Sequence, residues 1–252
     1  MTTPSCVALE AVQPGIMNVD DLPVLELAGP GPEQEVPPCP ALRVGGLRPR
    51  LIGSPASPYC RTVDVDWNAE LVDQLEWHWQ HQLRPRLDGL TDDEYFWQPV
   101  PGSWTLSRRG QSSAPMSIGV GEFTLDYASP PHDREPVTTI AWRLAHLIDV
   151  FGPPTAPHFD GRLAGHPAVA YPGTAEAALR QLDDGHDAWI RDVRHLGAAG
   201  LVQPQGAISP PEYAGAPMAK LILHVHREVI HHGAEISLLR DLYLWKDSRD
   251  HL

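Results

Sequence analysis

Apolar residues recur at helical spacing in four blocks of the chain, separated by stretches rich in Gly, Pro and Ser. Behind Asp66, a good N-cap, Trp67, Leu71, Leu75, Trp79 and Leu83 stand four apart, which predicts a helix to about Leu87 with Pro85 near its end. Residues 98–135 lack that period, and only Phe123, Leu125 and Tyr127 alternate as a hairpin arm would. A second helix is expected from near Pro136 through Ile140, Trp142, Leu144 and Ile148 to Phe151, stopped by Gly152-Pro153-Pro154. Thr174 caps a third, through Ala178, Leu182, Trp189, Ile190 and Val193 to Leu196-Gly197. The fourth and longest starts near Pro217 and reaches about Leu244. Four such helices and almost no strand predict an all-α four-helix bundle with one or two long crossover loops.

Composition sets a boundary on the N-terminal side of these blocks. Residues 1–60 hold 11 Pro and 6 Gly but one aromatic residue, Tyr59, whereas all eight Trp lie from Trp67 onward. Such a segment buries little apolar surface, so 1–62 reads as a disordered leader, 63–246 as the bundle and 247–252 as a tail. The leader is either a functional tail or upstream sequence annexed by a misplaced start, with Val63 as the alternative start. The formal net charge is −13, which disfavours a nucleic-acid partner, and no apolar run reaches the ~20 residues of a membrane helix. The acidic, Pro-rich N-terminus is no secretory signal, so the expected location is cytoplasmic.

Cys6, Cys39 and Cys60 are the only cysteines, all in the leader. The helical body therefore offers no disulfide, no thiolate nucleophile and no Cys-ligated metal. Any thiol chemistry there needs a thiol delivered as a small molecule.

Histidines carry the strongest chemical signal. His224, His226, His231 and His232 crowd the last helix beside Glu228 and Glu235. With Glu228 at zero on a helical wheel, His232 falls at about +40°, His224 at about −40° and Glu235 at about −20°. Leu221 and Leu239 fall at about +20° and Val225 at about +60°, so Glu228 and His232 are expected in the middle of the apolar stripe; His226, at about 160°, is expected to face away. A carboxylate in an apolar stripe is costly unless a cation compensates, so the plain alternative is a buried ion pair that fixes helix register. His146 on the second helix, His186 on the third and His78 on the first are expected to point toward the same interior. Neutral imidazoles with one carboxylate suit Zn²⁺, or Fe, Ni or Mn, and open coordination positions would make the site catalytic.

The helix Trp142-Arg-Leu-Ala-His146-Leu-Ile and the helix Arg227-Glu228-Val-Ile-His231-His232-Gly-Ala-Glu235-Ile resemble the DinB-like superfamily. The resemblance covers about 64–246, and Glu228 at the first of the two last-helix positions looks like the mycothiol-dependent maleylpyruvate isomerase branch, whose zinc is held by two His and one Glu. It implies a four-helix bundle with the metal on His146, Glu228 and His232. It further implies a mycothiol-like thiol, activated on the metal for attack on a small electrophile. His78, His186 and Glu235 are candidates to orient a ligand or shuttle a proton, and Arg108 and Arg109 to meet an anionic substrate. Three alternatives remain open: a metal-dependent hydrolase or isomerase using bound water; a non-enzymatic metal-binding or stress module, with His224 or His186 as a fourth ligand; and a metal-free ion-pair core. The Trp-rich first helix also offers a homodimer face, since Trp77 and Trp79 cannot share one side.

Overall fold

The computed structural model describes residues 64–128, 136–155, 157–159 and 169–247. The expectations for the leader, 1–62, and for nearly all of the tail lie outside these residues. The described chain is mostly helical, with five α-helices and one small sheet.

Helix α1 (Trp67–His78) begins at Asp66, whose carboxylate accepts from the backbone N–H of Asn68 and Ala69 at 3.1 and 3.2 Å. The path continues through a π-helical turn (Trp79–Leu83) and a 3₁₀ turn (Arg84–Leu87), so the expected helix to Leu87 is present but changes winding twice. Pro85, which has no N–H for an i→i−4 bond, explains why the α-helical ladder does not run to the end. A short helix not foreseen, α2 (Asp92–Tyr95), follows under a Thr91 cap. Its buried Glu94 receives Nε and Nη2 of Arg240 at 2.7 and 3.1 Å.

An all-α chain with almost no strand is not what the described residues form, since they include a three-stranded sheet. Strands β1 (Leu106–Arg108), β2 (Met116–Ile118) and β3 (Phe123–Tyr127) form an antiparallel sheet in the order β1-β3-β2, with Leu125 opposite both Leu106 and Ile118. The central strand is the alternating segment read from sequence. Its partners have three residues each, too few for a period of two to be visible.

Helix α3 (Ile140–Phe151) starts four residues later than Pro136 suggests, because Thr139 takes the N-cap and accepts from Trp142 N–H at 3.2 Å. Helix α4 (Ala175–Leu201) has the expected Thr174 cap but passes through Gly197 at φ +61°, a left-handed conformation that favours glycine, before a last turn to Leu201. Helix α5 (Met218–Trp245) matches the expected span closely. α3 packs on α4 and α5, α1 packs on α4, and the sheet rests against α3. Leu75, Leu144, Leu147, Phe151, Leu182, Ile222, Val229 and Ile236 fill the shared core. Each such side chain gains roughly 1.5–3 kcal/mol from leaving water.

The buried face of α5 is not the one the wheel suggested. Met218, Ile222, Val225, Val229, Gly233 and Ile236 are buried and centre near +100° on the same wheel, while Leu242 is exposed. Glu228 and His232 consequently lie at the edge of the core, and His226 lies inside it at 1% exposure. The leucines on the Glu228 side drew the centre of the stripe away from Ile222, Val229 and Ile236.

Candidate metal centre

On α3, Trp142, Arg143, His146 and Asp149 share a half-buried side, opposite the leucines that enter the core. The Trp142 ring lies nearly parallel to the His146 ring, centroids 5.5 Å apart, and its Nε1–H donates to the Asp126 carbonyl at 2.9 Å. The α5 edge brings Glu228 and His232, one turn apart, up to this face. His146 Nε2 stands 3.6 Å and His232 Nε2 3.4 Å from the same oxygen, Glu228 Oε2. The two imidazoles are nearly perpendicular, centroids 4.7 Å apart, and one donor atom from each of the three residues falls within 4.8 Å of the others.

Those spacings fit a metal. Donors ~2.0–2.1 Å from a tetrahedral zinc stand roughly 3.3–3.4 Å from one another, close to both measured separations. Side-chain exposures of 29% for His146, 19% for Glu228 and 14% for His232 leave the cluster accessible from solvent rather than sealed in the core. The neighbouring imidazoles, His146 first and then His232, hold the Glu228 carboxyl far below the usual carboxylate range, against the upward push of burial. The carboxylate is thus ionised and ready to ligate.

The surrounding residues divide between support and competition. His224 Nδ1 and Arg227 Nη2 each lie 3.4 Å from the other oxygen, Glu228 Oε1, and Arg227 also approaches His224 Nδ1 at 2.6 Å. Burial pulls the His224 pKa down, Glu228 opposes this, and Arg227 and His146 add to the lowering. His224 faces Oε1 rather than the Oε2 that the triad shares, and among the described residues it joins neither cluster of three or more such groups. Glu235 Oε2 lies 2.6 Å from His232 Nδ1 and also receives Arg143 Nη1, which itself approaches His232 Nδ1 at 2.9 Å. His231, Glu235 and His232 form a second, overlapping cluster, in which His231 Nε2 is 3.5 Å from Glu235 Oε1.

His78 and His186 stand elsewhere. His78 is buried and its Nδ1 meets Gln82 Oε1 at 2.9 Å; His186 is buried, stacked on Trp79 with centroids 4.0 Å apart and edge-on to Phe151. Neither joins the donor cluster. Arg108 pairs with Glu122 and lies over Phe123, while Arg109 donates to the Gly121 and Gly119 carbonyls at 2.8 and 3.1 Å, so both fasten the sheet.

Two features escaped the sequence reading. Arg143 lies one turn before His146, on the same side of α3, and that spacing was its only signal. Asp149, one turn after His146, accepts from the Tyr171 hydroxyl at 2.5 Å. Burial pushes its carboxyl up to about 6, with the Tyr171 hydrogen bond and the nearby His146 pulling the other way.

No curated protein and no solved structure matches the chain. Residues 121–236 match the family model of the DinB superfamily, a span that includes β3, α3, α4 and the part of α5 carrying Glu228 and His232. That match takes in every donor of the candidate centre and supports a DinB-like assignment for this segment.

Proposed function

We propose that the chain is a metal-dependent enzyme that activates a low-molecular-weight thiol, mycothiol or a close analogue, for transfer to a small electrophile. The metal, zinc first and nickel, iron or manganese as alternatives, is held by His146, Glu228 and His232. The scaffold is a four-helix bundle of α1, α3, α4 and α5 within a domain spanning 63–246. The observation that carries this reading is the approach of two imidazole nitrogens, from two helices, to one ionised carboxylate oxygen at 3.4 and 3.6 Å.

Three features support the chemistry. His146 and His232 both aim Nε2 at Glu228, so each offers a lone pair to a cation when Nδ1 carries the ring hydrogen. Trp142, held by its bond to Asp126, walls one side of the cluster and keeps the His146 ring in orientation. No cysteine lies beyond Cys60, so the sulfur nucleophile comes from solution. A divalent ion bound there lowers the pKa of a coordinated thiol and supplies thiolate at neutral pH.

The test is turnover of a panel of small electrophiles by the zinc-loaded protein, with and without mycothiol. The expected result is a rate that depends on both thiol and metal. A metal-dependent rate indifferent to thiol would replace this reading with hydrolysis or isomerisation through bound water. The same proposal includes a homodimer through α1, where Trp67 and Trp77 are 65% and 53% exposed while Trp79 is buried, and light scattering of the intact chain tests it.

A further inference from the structure

Glu235 raises a question that the donor set does not answer. It belongs by distance to a second cluster with His231 and His232, and carboxylates in such clusters are ordinarily read as ligands. Its environment argues otherwise. Oε2 is shared between His232 Nδ1 and Arg143 Nη1, and Arg143 is a largely buried guanidinium, 17% exposed, that reaches across from α3. A carboxylate already paired with a fixed cation has little left to offer a metal. His231, the remaining member, is 62% exposed and meets Glu235 at Oε1, not at the Oε2 that His232 and Arg143 share.

The two nitrogens of His232 are correspondingly distinct. Nε2 faces Glu228 Oε2 at 3.4 Å, and Nδ1 faces Glu235 Oε2 at 2.6 Å. Both nitrogens face a carboxylate, and the shorter contact, at Nδ1, is the one that takes the ring hydrogen and leaves Nε2 with its lone pair, although Arg143 Nη1, a donor only, also stands 2.9 Å from Nδ1. The Arg143 guanidinium, which only donates, gives its hydrogen bond to the same carboxylate. The ring is thereby fixed in tautomer and in rotation before any cation arrives.

We propose that Glu235, held in place by Arg143, is the positioning residue that presets His232 as a metal donor, and that the His231–His232–Glu235 group is not a second metal centre. The inference rests on the metal reading above for its purpose, but its physical content is a tautomer that exists without metal. The experiment therefore has two arms. In the first, ¹⁵N–¹H correlation spectra of metal-free protein report which His232 nitrogen carries the hydrogen. In the second, Zn²⁺ affinity is measured by competition with a chromophoric chelator.

The parent is expected to hold the hydrogen on Nδ1 and to bind one Zn²⁺. Glu235→Ala is expected to lose the tautomer preference and to weaken Zn²⁺ binding ~10–100-fold, with one equivalent still bound at saturation. Glu235→Gln, whose carbonyl can still accept from Nδ1–H, is expected to recover part of both. Unchanged tautomer and affinity in a folded Glu235→Ala would overturn the proposal. So would complete loss of Zn²⁺ at saturation, which would make Glu235 a ligand, or two equivalents bound by the parent. A parent that shows the Nδ1 tautomer but binds no metal would uphold the positioning and sink the metal reading alone.

Discussion

His224 and His226 are two residues apart on α5 and belong to different chemical worlds. His224, with His146 and His232, lies on the half-buried rim, where Glu228 and Glu235 face the imidazole nitrogens. His226, with His78 and His186, lies in the core, and among the described residues His78 Nε2, His186 Nε2 and both nitrogens of His226 have no hydrogen-bond partner. Burial lowers His186, and burial followed by the neighbouring His186 lowers His226 to about 4. The rim histidines are organised by carboxylates, and the core histidines are governed by desolvation. Residue type therefore says little about a histidine's role until its partners are known.

The largest expected effect is on metal. Glu228→Ala and His232→Ala should each fall from near one bound equivalent to near none by mass spectrometry, with circular dichroism unchanged. His226→Leu and His186→Leu should keep the parent's metal content. Loss of metal in a core variant that remains folded would erase the distinction between the two sets.

The next effect is on acid stability. His226 has a lowered pKa in the folded state, so folding excludes a proton that the unfolded chain accepts. The stability this represents is complete above the ordinary value of 6.5 and is lost as pH falls toward about 4. A shift of that size corresponds to on the order of 3 kcal/mol. Urea unfolding of metal-free protein across this range should show the loss, and His226→Leu should flatten it. An equally steep profile in the variant would assign the acid sensitivity to other groups.

At pH 8 a smaller gain follows from the same residue. Replacing an unpartnered buried imidazole by an aliphatic side chain of similar size should raise stability by about 1–2 kcal/mol. The smallest effect belongs to His224→Ala. Within the triad it approaches Glu228 Oε1, at 3.4 Å, and not the Oε2 that the two donor imidazoles share, so Zn²⁺ affinity should change less than about threefold against the ~10–100-fold expected at an orienting partner.

The helices were legible where a cap and an apolar period coincided, as at Asp66 and Thr174. At α3 the proline signal of Pro136 masks the cap at Thr139, whose side-chain oxygen accepts the Trp142 N–H as no proline side chain can. β1 and β2 were illegible because three residues carry no measurable period. At the site, the spacing of Glu228 and His232 was visible on one helix, and the likeness to known sequences supplied His146. Arg143 was not visible, since nothing local shows that it meets Glu235 across two helices. The wheel erred by averaging all leucines alike, when Leu242 is solvent-facing and Gly233 is buried against Leu83 and His78.

Two of the three donors come from one turn of α5, and the third lies roughly eighty residues of chain away on α3, so only the folded protein assembles all three. Any cation that uses all three discriminates folded from unfolded chain and becomes part of the folding equilibrium. At a hundredfold excess over its dissociation constant, such a ligand deepens the native basin by about 2.7 kcal/mol. A chelator would then act as a mild denaturant of this protein, and scarcity of the ion in a cell would shorten the lifetime of the chain as well as silence its site.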